Sequence, residues 1–177
     1  LSVRGNSFFD NTLKVYGPFV QESSGVLDLT ILNHDNSRTG DMVIVDRNNA
    51  ELGGKALVRV NGNGDWDLNT FTILRVLSNG QGQAVSGQFE TVELRRSGPA
   101  MRISPIPEMI YLDDRVDVAL YCKADVNRNG SIEPTDFAAW IGAYQNNSDL
   151  ADVNEDGNLT QADFSSWINY YSMPCGN

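Results

Sequence analysis

Oxygen-bearing side chains recur at alternate positions in two short stretches near the C-terminal end of the sequence. Segment 124–130 reads ADVNRNG, and segment 151–157, which lies 27 residues further on, reads ADVNEDG. Asp and Asn supply the hard oxygen ligands that Ca²⁺ prefers, and a glycine at the sixth loop position allows the sharp turn that brings alternate side chains together. The spacing therefore predicts two calcium loops with ligands at positions 1, 3, 5, 7, 9 and 12.

The predicted ligands are side-chain oxygens, except for a backbone carbonyl at position 7 of each loop. In the first loop they are Asp125, Asn127, Asn129, the Ser131 carbonyl, Glu133 and Asp136. In the second they are Asp152, Asn154, Asp156, the Asn158 carbonyl, Thr160 and Asp163. The predicted cofactor is therefore calcium, as two ions. Its expected role is structural, because the acids of each loop repel one another without a cation.

One amphipathic helix is predicted after each loop. Phe, Trp, Ile and Tyr recur at i, i+3, i+4 and i+7 in segments 137–144 and 164–171, the apolar stripe of a helix. No helix is predicted before either loop, since 116–121 alternates like a strand and segment 145–151 is too short for a stable helix. We expect the aromatic residues of both stripes to form a core rather than a contact surface.

Two calcium loops, each followed by one helix, resemble the dockerin family. The resemblance implies a module over 122–177 with two antiparallel units and pseudo-twofold symmetry. Dockerins typically bind cohesin domains near loop positions 10 and 11, which here are Pro134 with Thr135 and Gln161 with Ala162. The hydroxyl pair of many such sites is absent. The resemblance therefore implies either a divergent cohesin-like partner or packing against the protein's own upstream domain.

The two cysteines bracket the predicted module. Cys122 precedes the first loop and Cys175 follows the second helical stripe. This placement favours a disulfide in an oxidising compartment, with two free thiols as the alternative. Cysteines in these places also resemble dockerin-like variants that tie their ends together. The expected location is secreted or at a bacterial cell surface.

The upstream region 1–121 is expected to form a mainly β domain, because short apolar runs are separated by Gly, Asn, Asp and Pro. The predicted strands are 12–15, 26–32, 42–46, 56–60, 71–77, 88–94, 109–112 and 116–121. A β-sandwich, a jelly roll or a β-solenoid cap would accommodate them. The predicted fold is thus this β domain joined, with almost no linker, to the small α module.

Several phrases in the upstream region resemble the terminal part of bacterial autotransporter-associated β-strand proteins. They are LKVYG at 13–17, SGVLDL at 24–29, AELGG at 50–54, FTIL at 71–74 and SGQFETV at 86–92. The resemblance implies the capping region of an elongated secreted or surface protein, and it implies no activity.

Charge and composition exclude several functions. The net charge is −10, and no run of Lys or Arg offers the basic surface that nucleic acid requires. The sequence contains no apolar stretch of about 18 residues, which is the length that a membrane-spanning helix needs. The single histidine, His34, lies in a polar run that is typical of a solvated loop, so we expect no enzyme activity.

A carbohydrate-binding β-sandwich module of a polysaccharide-degrading protein is the alternative function. It rests on Trp66 in the polar segment 61–67, since exposed aromatic rings can stack on sugars. The favoured interpretation of this segment is a hairpin turn whose Trp folds back over the core.

Overall fold

The computed structural model describes residues 12–34, 37–62, 69–78 and 80–173. The strands within these residues are β1 Thr12–Val15, β2 Phe19–Val20, β3 Val26–His34, β4 Ser37–Gly40, β5 Met42–Asp46, β6 Ala50–Leu52, β7 Lys55–Gly62, β8 Asn69–Leu77, β9 Val85–Gly87, β10 Thr91–Arg96, β11 Glu108–Tyr111 and β12 Arg115–Leu120. The helices are α1 Pro134–Gln145 and α2 Gln161–Ser172, with 3₁₀ turns at Gly98–Arg102 and Asp149–Ala151.

The upstream strands form three sheets, and three strands of each sheet pair in parallel. Strands β1, β5 and β8 pair in parallel, as do β2, β6 and β9, and so do β3, β7 and β10. Each turn of the chain therefore places one strand in each sheet, which gives a three-sided β-solenoid of three rungs. The mainly β prediction is confirmed, and of its alternatives the β-solenoid is correct. The β-sandwich and the jelly roll are wrong, because both are built from antiparallel neighbours.

Stacked aliphatic side chains form the solenoid core. In the sheet of β3, β7 and β10 the register places Leu29 beside Val58 and Val58 beside Leu94. Leu29 and Val58 are fully buried. Burial of apolar surface contributes roughly 25 cal/mol per Å², so these columns are a main source of stability. Only one face of each strand points into this core, so buried apolar residues alternate with outward-facing ones, as Leu27, Leu29 and Ile31 alternate with Asp28 and Thr30 in β3.

Glycines at the corners explain why some predicted strand boundaries were wrong. Gly87, at φ 72°, ends β9, and a Cβ there would lie 2.3 Å from the Leu52 carbonyl oxygen. The predicted strand 88–94 therefore begins later, at Thr91. Strands β2, β6 and β9 have two or three residues each, too few to show an alternating pattern, and they were not predicted. The short hairpin strand β4 was also missed.

An antiparallel hairpin closes the C-terminal end of the solenoid. Strand β12 pairs antiparallel with β8, and β11 pairs with β12. Val116, Val118 and Leu120 of β12 are fully buried, as are Ala100 and Ile103 at the 3₁₀ turn. These side chains cover the last rung, which would otherwise leave its apolar core open to water.

Strand β12 continues into the first loop without a flexible spacer. The Ser104 amide donates to the Tyr121 carbonyl at 2.8 Å, and the Lys123 amide donates to the Arg102 carbonyl at 2.9 Å. Cys122 is buried between them and forms a bridge with Ile103. The residues that precede the loop are therefore fixed to the solenoid cap. The domain boundary at 121 and 122 stays a prediction.

Some predictions fall on residues that are not described. Cys175 and Trp66 lie outside the described residues, so the disulfide and the carbohydrate site stay predictions.

His34, predicted in a loop, is the last residue of β3, at the hairpin to β4. Among the helices that the structure describes, none has the length and apolar character needed to span a membrane.

Candidate calcium site

The two predicted loop–helix units are present at the predicted positions. Loop 125–136 leads into α1, and loop 152–163 leads into α2. Strand β12 precedes the first loop, and only the 3₁₀ turn Asp149–Ala151 precedes the second. The predicted absence of an entering helix is thus confirmed for both units.

The position-12 aspartates join each loop to the start of its helix. The Asp136 carboxylate accepts the Glu133 amide at 2.9 Å and the Asn127 amide at 3.1 Å. In the second unit Asp163 accepts the equivalent amides of Thr160 at 2.8 Å and Asn154 at 3.3 Å. Each aspartate is the third residue of its helix, and its side chain completes a capping box with the residue before the helix. The short Asp side chain suits this position because it reaches back to the backbone only three residues away.

The remaining loop contacts are also duplicated. Asp125 accepts the Asn129 and Gly130 amides at 3.1 and 2.9 Å. Asp152 accepts the Asp156 and Gly157 amides at 3.2 and 2.9 Å. The position-6 glycines have φ values of 84° and 80°, which an L side chain rarely adopts. The side chains at positions 1, 3, 5 and 12 are thereby gathered on one loop in both units.

Positions 3, 5, 7 and 9 complete the two loops. Asn127 Oδ1 accepts the Asn129 amide at 2.9 Å, and Asn129 Oδ1 accepts the Ser131 amide at 2.9 Å. The second loop repeats this with Asn154, Asp156 and Asn158. Position 9 differs between the units. Glu133 accepts hydrogen bonds from Thr135 and Asn129, which lower its pKa, whereas Thr160 accepts the Ala162 amide.

Buried negative charge makes the loops suitable for a cation. Asp136 and Asp163 are fully buried, and Asp125 is nearly so. Within the described residues no Lys or Arg forms an ion pair with any predicted ligand carboxylate. Burial raises the pKa of Asp125, and the charge of Asp136 acts in the same direction, against the amide hydrogen bonds. A bound cation would relieve this cost of burial and repulsion.

The donor set suits calcium rather than a metal that needs several charged ligands. In the described part of the chain no three Asp, Glu, His or Cys side chains converge on one point. A metal here must therefore also use amide and carbonyl oxygens. Calcium accepts such mixed oxygen sets at six to eight positions. The residues fit calcium, while the role of each ligand stays a prediction.

Two tryptophans connect the units reciprocally. Trp140 of α1 donates from Nε1 to the carbonyl of Ala151, directly before the second loop, at 3.3 Å. Trp167 of α2 donates to the carbonyl of Ala124, directly before the first loop, at 3.2 Å. The exchange is the relation that pseudo-twofold symmetry requires. The sequence held a signal for it, since both repeats begin with Ala, although the role of that Ala was not predicted.

The helical stripes are only partly buried. Trp140 and Trp167 lie in a core with Val126, Ala151 and Val153. Phe137, Ile141 and Ile168 are 40%, 37% and 46% exposed. The expectation that the aromatic residues form a core is therefore wrong for Phe137, and Ile141 and Ile168 are further exposed apolar residues of the same stripes. The two helices pack against each other on their inner sides, but no other described element covers their outer sides.

All four predicted partner-binding residues are exposed. Pro134 and Thr135 lie in the first turn of α1, and Gln161 and Ala162 lie in the first turn of α2. They are therefore accessible to a partner, and their role in binding stays a prediction.

Contacts between the module and the solenoid involve loop position 4, which sequence analysis did not single out. Arg128, at φ 60°, donates to the Ile106 carbonyl at 3.0 Å and lies over the Tyr121 ring at 5.4 Å. Glu155, at φ 62°, accepts from Arg96 and Lys123. Position 4 is not a ligand position, so the calcium pattern carried no signal for it.

The geometry defines a class of protein module: two EF-hand-like loops, each followed by one helix, packed as a pair. Residues 123–171 match the family model of the dockerin type I domain. The C-terminal module is therefore dockerin-like, and it is a calcium-binding module for attachment to a protein partner. Such modules occur in extracellular or cell-surface proteins. A search of curated proteins and a search of solved structures each found no match to the chain. The autotransporter resemblance of the upstream region stays a prediction.

Proposed function

We propose that this chain is a non-catalytic attachment unit of an extracellular protein, whose dockerin-like module binds two calcium ions and a protein partner in trans. The observation that carries the proposal is the pair of fully buried position-12 carboxylates, Asp136 and Asp163. Neither has a cationic partner within the described residues, and each joins its loop to a helix start. The non-catalytic part rests on the sequence, in which no residue set indicates a reaction.

Calcium would be held by the predicted ligands of each loop, which are Asp125, Asn127, Asn129, Ser131, Glu133 and Asp136 in the first and Asp152, Asn154, Asp156, Asn158, Thr160 and Asp163 in the second. When bound, the ion neutralises the loop carboxylates and connects the loop to the first turn of its helix. The chain itself supplies the amide hydrogen bonds that shape each loop. Folding of the module and calcium binding are thus expected to be linked.

Calorimetric calcium titration of chelator-stripped protein tests the metal sites. We expect two sites in the wild type and a melting temperature that rises with calcium. Asp125→Ala and Asp152→Ala should each lose one site, because each removes the position-1 carboxylate of one loop. Asp149→Ala is the control, since Asp149 is an exposed acid of the same module outside both loops. Absence of binding heat in the wild type, with unchanged melting, would contradict the proposal.

The outer surface of the two helices supports a partner with an uncharged surface. The sequences of α1 and α2 contain no Lys, Arg or Glu, and their two acids, Asp136 and Asp163, are buried. Exposed Phe137, Ile141 and Ile168 make this surface apolar. Charged groups at the centre of an interface are disfavoured, and apolar groups there contribute most of the binding energy.

Surface plasmon resonance against immobilised cohesin-type domains tests this surface. Binding should require calcium, and the double variant Ile141→Asp/Ile168→Asp should weaken it at least about 100-fold, since two charges would be buried without partners. Asn147→Asp, which adds charge at the exposed turn after α1, should leave binding unchanged. Lack of binding to every cohesin in calcium would contradict a partner in trans and would favour the protein's own β domain as the partner.

A further inference from the structure

One inward-facing column of the solenoid ends in a cation. In the sheet of β3, β7 and β10 the register places Ile31 beside Val60 and Val60 beside Arg96. Ile31 and Val60 are buried core residues, so Arg96 occupies the core position of the last rung. Its side chain is only 6% exposed. An arginine cannot lie there among aliphatic groups without partners, and it extends past the last rung toward the module.

The partners of Arg96 lie on the solenoid cap and on the second calcium loop. The guanidinium donates to the Ile103 carbonyl and, at 3.4 Å, to the Met101 carbonyl. The second terminal nitrogen of the guanidinium, Nη2, donates to Glu155 Oε2 at 2.5 Å. Arg96 thus connects the end of the β-solenoid directly to the dockerin-like module.

A second buried cation holds the other oxygen of Glu155. Lys123 Nζ lies 2.6 Å from Glu155 Oε1 and is also only 6% exposed. Lys123 donates in addition to the Val153 carbonyl at 3.1 Å and lies over the Tyr170 ring at 4.9 Å. Burial by itself raises the pKa of Glu155, but Arg96 and Lys123 lower it below its ordinary value. Charge-assisted hydrogen bonds of this kind are strong and directional.

The position of Glu155 in the chain connects these contacts to the predicted calcium ligands. Glu155 lies between the predicted ligands Asn154 and Asp156, and its φ of 62° is a conformation that non-glycine residues seldom adopt. Two hydrogen bonds from outside the loop hold its side chain. The backbone that carries two ligands is therefore held in its binding shape by groups that touch no ligand.

We propose that Arg96 and Lys123 are positioning residues for the second calcium site, acting through Glu155, so that the β-solenoid, through Arg96, contributes to the calcium affinity of this loop. The inference rests on the proposed function, because it requires that the loop binds calcium. By linkage, calcium in the second loop strengthens the contact between the module and the solenoid by the same factor. The solenoid thus takes part in the calcium response of the module.

Charge alone predicts a different pattern from positioning. Removal of the Arg96 charge would raise calcium affinity if through-space repulsion dominated, whereas removal of the Glu155 charge would lower it. Loss of positioning lowers affinity in both cases. Outer residues that orient ligands change metal affinity by about 10–100-fold. We therefore expect positioning to dominate.

The test is a calcium titration of the full chain followed by the NMR signals of the Gly157 and Gly130 amides, each of which donates to the position-1 carboxylate of one loop. In Arg96→Gln and in Glu155→Gln the Gly157 signal should report calcium affinity roughly fivefold or more below wild type. The Gly130 signal should change less than about twofold. Arg95→Gln is the matched control, because Arg95 lies on the same strand, is exposed and pairs with Glu93.

Opposite shifts in Arg96→Gln and Glu155→Gln, or no shift in either, would overturn the inference. If Arg96→Gln fails to fold, Lys123→Gln replaces it, because Lys123 also pairs with Glu155 and carries the same charge. Lower calcium affinity at Gly157 in Lys123→Gln supports positioning, and higher affinity indicates charge only. A wild type with no calcium response at Gly157 would instead contradict the proposed function, on which the inference depends.

Discussion

The Asp136→Ala variant is expected to lose the first calcium site and about 2–4 kcal/mol of calcium-free stability. The Asp136 carboxylate is fully buried and accepts the amides of Asn127 and Glu133. Its removal leaves both donors without an acceptor and deletes one member of the α1 capping box. Calorimetric calcium titration and urea unfolding followed by circular dichroism would measure the two losses separately.

Asp136→Asn separates the structural part of this effect from the metal part. The amide retains an oxygen that can accept one backbone hydrogen bond, but it has no negative charge. Asp136→Asn should therefore keep more of the calcium-free stability than Asp136→Ala while still weakening the first calcium site. Two sites of wild-type affinity in Asp136→Ala would show that position 12 does not bind the ion.

The Trp167→Ala variant is expected to cost about 3–5 kcal/mol, the usual range for a large aromatic residue removed from a core. Trp167 is 4% exposed and packs against Phe137 and Tyr171. It also donates to the Ala124 carbonyl before the first loop. We therefore expect the first calcium site to weaken, although Trp167 belongs to the second unit. Urea unfolding and calcium titration would measure both effects.

Ile168→Ala is the matched control, because Ile168 is the next residue of α2 and is 46% exposed. Its substitution should change stability by less than about 0.5 kcal/mol. Trp167→Phe keeps most of the ring volume and removes the indole donor. Weakening of the first site in Trp167→Phe would assign the coupling to the hydrogen bond. If Trp167→Ala matched Ile168→Ala in stability, the reciprocal contact would have no energetic role.

Local spacing was sufficient to predict the two loops and the helices that follow them. Asp125, Gly130 and Asp136 stand at positions where the chemistry of a single loop decides the residue type, and α1 and α2 begin in the turn that the capping aspartates define. Such features depend on neighbours within about twelve residues, so the sequence carries them directly. Because the pattern of loop and helix occurs twice in the sequence, the prediction rested on two matching copies.

The β region was predictable only in class. Runs such as 42–46 and 71–77 are apolar enough to predict strands, and β5 matches its predicted bounds. The parallel pairing of β3, β7 and β10 joins residues about 30 positions apart, a distance at which strand composition carries no record of its partner. The two-residue strand β2 forms because β6 of the next rung pairs with it, and its own sequence does not predict a strand.

The sequence by itself determined the chemistry of the loops, the helices that follow them and the mainly β character of the rest, because each depends on local spacing and composition. Only the tertiary structure decided that Arg96 lies at the end of a core column, that Glu155 accepts from two buried cations, and that Ile168 stays exposed. These properties depend on which distant surfaces meet. The identity of a charged residue does not show whether its side chain faces water or connects two parts of the fold.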